Sequence, residues 1–163
     1  MTKTRPPKVK KKARRLHLHG AAKTDVRTQF AALCYRYKRD ELQICLITSR
    51  GTGRWIPPKG WPMHKQTPAD AAATEAWEEA GLTGKVFDTC IGVYSYNKPV
   101  KDRELPIMSL VYPIRVKSIH TDWPEKSQRK RKWFSQARAA KKVDEPELKQ
   151  IIANFDPAKL KRS

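Results

Sequence analysis

The stretch from Thr67 to Leu82 constrains this chain more than any other. Thr67 offers a hydroxyl N-cap, Pro68 stands where the first helical residue belongs, and Asp70 completes a capping-box pattern. Gly81 is suited to a left-handed C-cap, so the spacing predicts a helix between these marks. At roughly 100° per residue, Ala69, Ala72, Ala73, Ala76 and Ala80 gather on one side, where small side chains let a helix lie close against a sheet. Glu75, Glu78 and Glu79 fall together on the adjacent side. Like charges at this spacing repel by a few tenths of a kcal/mol in an isolated helix. A divalent cation would turn that repulsion into a binding site; a solvated acidic face is the other reading of three glutamates alone.

The frame around the glutamates narrows the choice. Gly60 lies fifteen residues before Glu75, and Gly81 two after Glu79. This resembles the signature of the Nudix hydrolases, G-x5-E-x7-R-E-U-x-E-E-x-G-U with U aliphatic. Gly60, Glu75, Glu78, Glu79, Gly81 and Leu82 match it, and Ala76 is a small stand-in for the aliphatic position. Gln66 stands where the family has Glu, and Thr74 where it has Arg. In the family those two charges pair and help orient the helix. Here both are gone together, so neither is stranded. The pair reads as a neutral replacement of a support contact; a catalytically weak domain is the competing reading.

The lead-in Arg54-Trp55-Ile56-Pro57-Pro58-Lys59-Gly60 is similar to the diphosphoinositol polyphosphate phosphohydrolase branch, whose members also act on diadenosine polyphosphates. The likeness covers roughly residues 27–143 and takes in Asp122-Trp123 and Arg129 to Phe134. It implies hydrolysis of a phosphoanhydride bond in a small polyanionic phosphorylated substrate, with Mg²⁺ or Mn²⁺ as the metal. By the family's motif, Glu75, Glu79 and the Gly60 carbonyl are the expected metal ligands, and Glu78 is the expected catalytic base. Arg27, Arg50, Lys59, Arg103 and Arg129 sit at positions resembling the branch's substrate-binding residues. Arginine suits phosphate through its two-pronged donor geometry. Trp55, Trp61 and Trp77 are candidates either for stacking on a base or for packing. Two other readings stay open: a Nudix-like module that binds RNA or another polyanion, and an enzyme acting on nucleoside triphosphates.

Charge bears on the same question. Lys and Arg number 35 against 16 Asp and Glu, a net charge of +19. Residues 1–15 hold eight of those cations and no acid, which leaves +11 (19 − 8) for the remainder. A domain that positive expects a polyanionic partner. Residues 1–25 read as a disordered basic tail, 26–156 as the Nudix domain and 157–163 as a basic C-terminal tail. Lys8 to Arg15 reads as a solvated arm, a weak nucleic-acid contact or an import signal. His17 and His19 have no third ligand nearby and read as surface residues. Cys34, Cys45 and Cys90 lie in apolar runs without paired zinc-site spacing, so buried free thiols are expected. With no membrane-spanning run, the expectation is a monomer in the cytoplasm, or in the nucleus if the basic segment directs import.

The rest of the chain alternates strand-like and helical patterns. Strands are expected over Thr28 to Tyr37, Leu42 to Ser49, Lys85 to Tyr96, Leu105 to Val116 and Arg129 to Phe134, with a hairpin turn at Arg39-Asp40-Glu41. Asn97 to Glu104 reads as a polar loop, Pro106 as a strand start and Pro113 as an edge or bulge. Helices are expected over 135–142 and 145–155, the second burying Leu148, Ile151, Ile152 and Phe155. This pattern predicts an α/β/α sandwich on a mixed sheet, which is also the fold the resemblance implies.

Overall fold

The computed structural model describes residue 15 and residues 27–160. The expected tail over 1–25, with His17 and His19, lies outside the described residues except for Arg15, as do residues 161–163. Strand β1 (Thr28–Lys38) turns into β2 (Glu41–Thr48) through Arg39 and Asp40, both at positive φ, 52° and 62°. That is a two-residue hairpin whose twist matches its strands. Two short strands follow, β3 (Trp55–Ile56) and β4 (Lys59–Gly60), and then helix α1 (Pro68–Ala80). The chain continues through β5 (Leu82–Val86), β6 (Gly92–Val100), β7 (Arg103–Ile119) and β8 (Arg131–Ser135). Helices α2 (Gln136–Lys142) and α3 (Pro146–Ala153) close it, followed by a 3-10 turn at Pro157–Lys159.

Among the described residues, eight strands form one sheet, with the path β3-β2-β1-β7-β5 and with β4 on β1, β6 on β7 and β8 on β2. Of these pairs β1 and β7 run parallel and the rest antiparallel, so the sheet is mixed. Strand β1 is buried on both faces, which is why it reads as a continuous apolar run. Phe30, Ala32 and Cys34 face the alanine side of α1, while Ala31, Leu33 and Tyr35 face Leu148 and Ile152 of α3. The expected α/β/α sandwich is therefore the observed fold. Helix α1 starts as its caps predict: Thr67 Oγ1 accepts the Asp70 N–H at 3.1 Å, Pro68 is the first residue, and Gly81 takes φ 65°.

Four expectations are corrected. The single strand expected over Lys85 to Tyr96 breaks at residues 87–91, where the chain crosses from β5 to β6 along β7. The polar loop expected over Asn97 to Glu104 is instead paired β-hairpin up to the tip at Lys101-Asp102, because ladder hydrogen bonds use the backbone whatever the side chains. Pro106 and Pro113 lie inside β7. Met108 donates its N–H towards β1, and Pro106, two residues before it, points the same way beyond the start of β1. Pro113 faces the β5–β6 gap, where its carbonyl accepts the Phe87 N–H at 3.1 Å. Each missing N–H thus falls where no strand needs it. Finally, Cys34 and Cys45 are buried, and burial pushes Cys45 up to about 12 and Cys34 well above its usual value, but Cys90 is exposed on the 87–91 crossing.

Positive φ at two non-glycine residues of the first hairpin leaves stability unused. Replacing Arg39 and Asp40 together by Asn and Gly should raise unfolding stability by about 1 kcal/mol, measured by urea denaturation.

Candidate active site

The fold gathers the acidic turn of α1 against the short strand β4. Gly60 packs so closely on Glu75 that a Cβ built there would overlap the Glu75 carboxylate. Glu79 is buried and accepts the Lys59 backbone N–H at 3.3 Å. Glu75, Glu78 and Glu79 open together into a cavity of about 530 Å³, also lined by Gly60, Lys59, Trp61 and Met63. Burial, then the carboxylates of Glu79, Glu78 and Glu125, push Glu75 up to about 8. Glu79 is also raised by burial, an effect opposed by Arg129 and the Lys59 N–H. Crowding of this kind marks a place short of positive charge.

Arg129 supplies part of that charge. Its side chain is 7% exposed; Nη2 lies 3.5 Å from Glu79 Oε1, and Nε donates to Glu125 Oε1 at 3.4 Å. Nη1 donates to the Thr48 carbonyl at 3.2 Å. Arg129 was expected on the last strand, but β8 begins two residues later, and this leaves its side chain free to turn inward. Arg50, 63% exposed at the mouth, pairs with Glu125 at 3.6 Å and donates to Gln128 at 2.9 Å. Arg54 pairs with Asp144 and Glu145 at 3.3 and 3.5 Å. Lys59, its amine lowered by burial, sits 4.8 Å over the Tyr96 ring, and Lys98 sits 5.0 Å over the Trp61 ring.

Of the residues singled out in the sequence, Gly60, Glu75, Glu78, Glu79, Arg50, Lys59 and Arg129 line this one cavity. Arg27 and Arg103 do not. Arg27 is exposed and its carbonyl accepts the Met108 N–H; Arg103 is exposed beside the β6–β7 tip. Trp55 packs edge-on against Phe134 and Trp77 against His120, and Trp61 alone of those three reaches the cavity. Sequence reasoning missed Gln29, Tyr96, Lys98 and Glu125. Gln29 accepts a hydrogen bond from the Tyr96 hydroxyl. The alternation of β1 and β6 puts these residues on a wall, but only pairing through β7 brings the strands to one site.

Gln66 and Thr74 do meet. Thr74 Oγ1 lies 3.2 Å from Gln66 Oε1 and 3.1 Å from the Asp70 carbonyl. A neutral contact thus joins the loop to the helix at the two positions where the signature departs.

The far end of the helix is held by the segment 120–131. Gly81 N–H closes on the Trp77 carbonyl at 3.0 Å, and Glu125 N–H on that of Glu78 at 2.9 Å. Trp123 Nε1 donates to the Glu79 carbonyl at 3.2 Å, and Arg131 Nη1 to that of Ala80 at 2.8 Å. The carbonyls a helix leaves unpaired at its C-terminus are therefore all satisfied, and the Arg131 charge complements the helix dipole. Arg131 lies 4.1 Å over the Trp123 ring, and that ring would meet a Cβ on Gly81 at 2.6 Å.

Oxygen donors from Glu75, Glu78, Glu79 and the adjacent Gly60 suit a hard divalent cation. Among the described residues no three His, Cys, Asp or Glu side chains already converge as a closed ligand set. Glu79 leans on Arg129 and the Lys59 N–H, so an ion would share it with Arg129. The donor chemistry fits the metal even though the cage is not drawn shut.

The chain matches the NUDIX domain family over residues 27–155. It is 35% identical over 106 residues to diphosphoinositol polyphosphate phosphohydrolase 3-alpha of Homo sapiens, covering 64% of this chain and 61% of that protein. The chain thus spans under two thirds of that relative's length. A NUDIX hydrolase structure from Nitrosomonas europaea superposes with a TM-score of 0.61 at 18% identity, covering 82% of this chain and 90% of that one. The C. elegans Ap4A hydrolase superposes at 0.57 and 18% identity, over 78% and 93%. Those two likenesses show the fold.

Gly60→Ala should leave the fold intact, since the Glu75 side chain can swing aside. It should weaken Mn²⁺ binding by roughly tenfold or more, read by titration calorimetry. Arg129→Met strands the buried Glu79 charge and removes one of the two partners of the half-buried Glu125, and should cost on the order of 3 kcal/mol in EDTA. Saturating Mg²⁺ should restore part of that loss in thermal unfolding.

Proposed function

The chain belongs to the NUDIX family, and from that premise we propose that it hydrolyses a phosphoanhydride bond in a small polyphosphorylated substrate. The observation that carries this reading is the cavity: four carboxylates, three of them from one turn of α1, face five cations across a space of about 530 Å³. Acid to hold metal and base to hold phosphate occupy one cleft.

Hydrolysis of P–O–P needs an activated water, neutralised non-bridging oxygens and a stabilised leaving phosphate. Glu75, Glu79 and the Gly60 carbonyl would hold Mg²⁺ or Mn²⁺, which would supply the charge neutralisation and acidify a bound water. Glu78 accepts the proton of the attacking water. Arg129 has Nε, Nη1 and Nη2 engaged with Glu125, Thr48 and Glu79, so its role is to hold the carboxylates in place. Arg50 at the mouth and Lys59 and Lys98 on the walls grip the phosphates. Arg27 and Arg103 lie off the wall, and the reading does without them.

The walls favour one substrate class within this reaction. Each aromatic ring that could stack on a base already carries a lysine: Lys98 over Trp61 and Lys59 over Tyr96. Tyr96 is also stacked on Tyr94. A diphosphoinositol polyphosphate, all anion and no base, fits better than a diadenosine polyphosphate. The name of the human relative points to the same substrate.

Phosphate release from both substrates should require Mg²⁺ or Mn²⁺ and stop with excess EDTA. Glu78→Gln keeps the side-chain shape and should lower kcat by about 100-fold or more. Turnover that persists in EDTA or in this variant would defeat the assignment. No turnover of either substrate, together with salt-sensitive RNA affinity at the cavity, would favour a binding module.

A further inference from the structure

A second groove opens at the opposite end of β1. It is bounded by Tyr35 and Tyr37 of β1, Phe87, Lys85 of β5, Arg115 of β7, and the 3-10 turn from Pro157 to Leu160. It shares no residue with the active-site cavity. Gln29 lines one and Tyr37 the other; eight residues of the same strand, at about 3.3 Å each, put them roughly 26 Å apart. The pairing register makes Tyr35, Arg115 and Lys85 neighbours across three strands. Tyr37 is 49% exposed and meets the Tyr35 ring edge-on at 6.4 Å.

The composition of this groove is selective. Among the described residues, three aromatic rings and two cations line it, and no carboxylate does. Arg115 lies 5.9 Å from the Tyr37 ring centroid, and Lys85 lies 5.1 Å from that of Phe87. The nearest acid on the turn, Asp156, is committed to capping the Ala158 N–H at 3.0 Å. Lys38, Arg39 and Lys117 are exposed on the same strands and their hairpin, with Asp40 and Glu41 as the acids at its tip. Cations outnumber acids, three to two, beside the groove.

From this juxtaposition we propose that the groove is a binding site for single-stranded nucleic acid, separate from the hydrolytic centre. One base stacks on the face of Tyr37 that Arg115, at 5.9 Å from the centroid, leaves open, and the flanking phosphates meet Arg115 and Lys85. Stacking on an exposed ring beside a cationic track is how proteins hold unpaired strands without reading sequence. The strand is single because a base inside a duplex has no free face to offer. The volume, about 290 Å³, lies at the small end of ligand pockets, roughly 300–1,000 Å³, and suits one base rather than a folded ligand. A net charge of +19 favours a polyanion of some length over a mononucleotide.

The test uses the full chain and a fluorescein-labelled eight-nucleotide RNA, with anisotropy read at several salt concentrations. Tyr37→Ala and Arg115→Glu should each weaken binding at least fivefold, whereas Tyr37→Phe should bind like the parent. An abasic strand of the same length should bind the parent at least fivefold more weakly than the RNA. Active-site hydrolysis should be unchanged in all three variants, which shows that they fold and separates this result from any failure of the hydrolase reading. Equal affinity of Tyr37→Ala, Arg115→Glu and the parent, or of the abasic strand and the RNA, would overturn the proposal and assign the binding to diffuse charge elsewhere on the chain.

Discussion

The C-terminal turn of α1 is the constraint from which the rest follows. A helix that presents three carboxylates on its last turns works against its own dipole, since negative charge is disfavoured at a C-terminus. The chain answers by folding the segment 120–131 across that end. Glu125, Trp123 and Arg131 take up the carbonyls of Glu78, Glu79 and Ala80 in turn. Arg131 adds a positive charge where the dipole asks for one, and its guanidinium lies on the Trp123 ring that closes over Gly81. The backbone carrying the acidic side chains is thereby held rigid while the side chains stay turned to the cavity.

Charge compensation is the second consequence. In the Nudix signature the helix receives an arginine from its own sequence, at the position Thr74 occupies here. This chain brings in Arg129 from the segment that crosses the end of the helix and buries it against Glu79 and Glu125. The neutral Gln66–Thr74 contact keeps the loop on the helix without adding charge. The departures at positions 66 and 74 therefore do not dismantle the site.

Several parts of this arrangement are legible in the sequence. Thr67, Pro68 and Gly81 mark both ends of α1 because capping is local, involving atoms a few residues apart. The apolar run of β1 and the Leu148–Ile152 stripe of α3 were readable for the same reason. What was not readable depended on partners distant in sequence. The break at residues 87–91 arises because β5 and β6 both pair with β7, which no local pattern announces. The polar run Asn97 to Glu104 looked like a loop, yet β7 gives it a ladder to join. Arg27 and Arg103 seemed equivalent to Arg50 as candidate phosphate ligands until the sheet placed them elsewhere.

The sequence by itself determined the helix, its caps, the row of three glutamates and the glycine that must sit against them, since each follows from spacing and side-chain size along one segment. Only the tertiary structure decided which cations meet those glutamates, that Arg129 holds carboxylates, and that an aromatic, basic groove opens at the other end of β1. The physical reason is one of range. Periodicity and capping act over a turn or a rung. Charge pairing and cavity walls depend on which strands become neighbours, and that is set by burying both faces of the sheet at once.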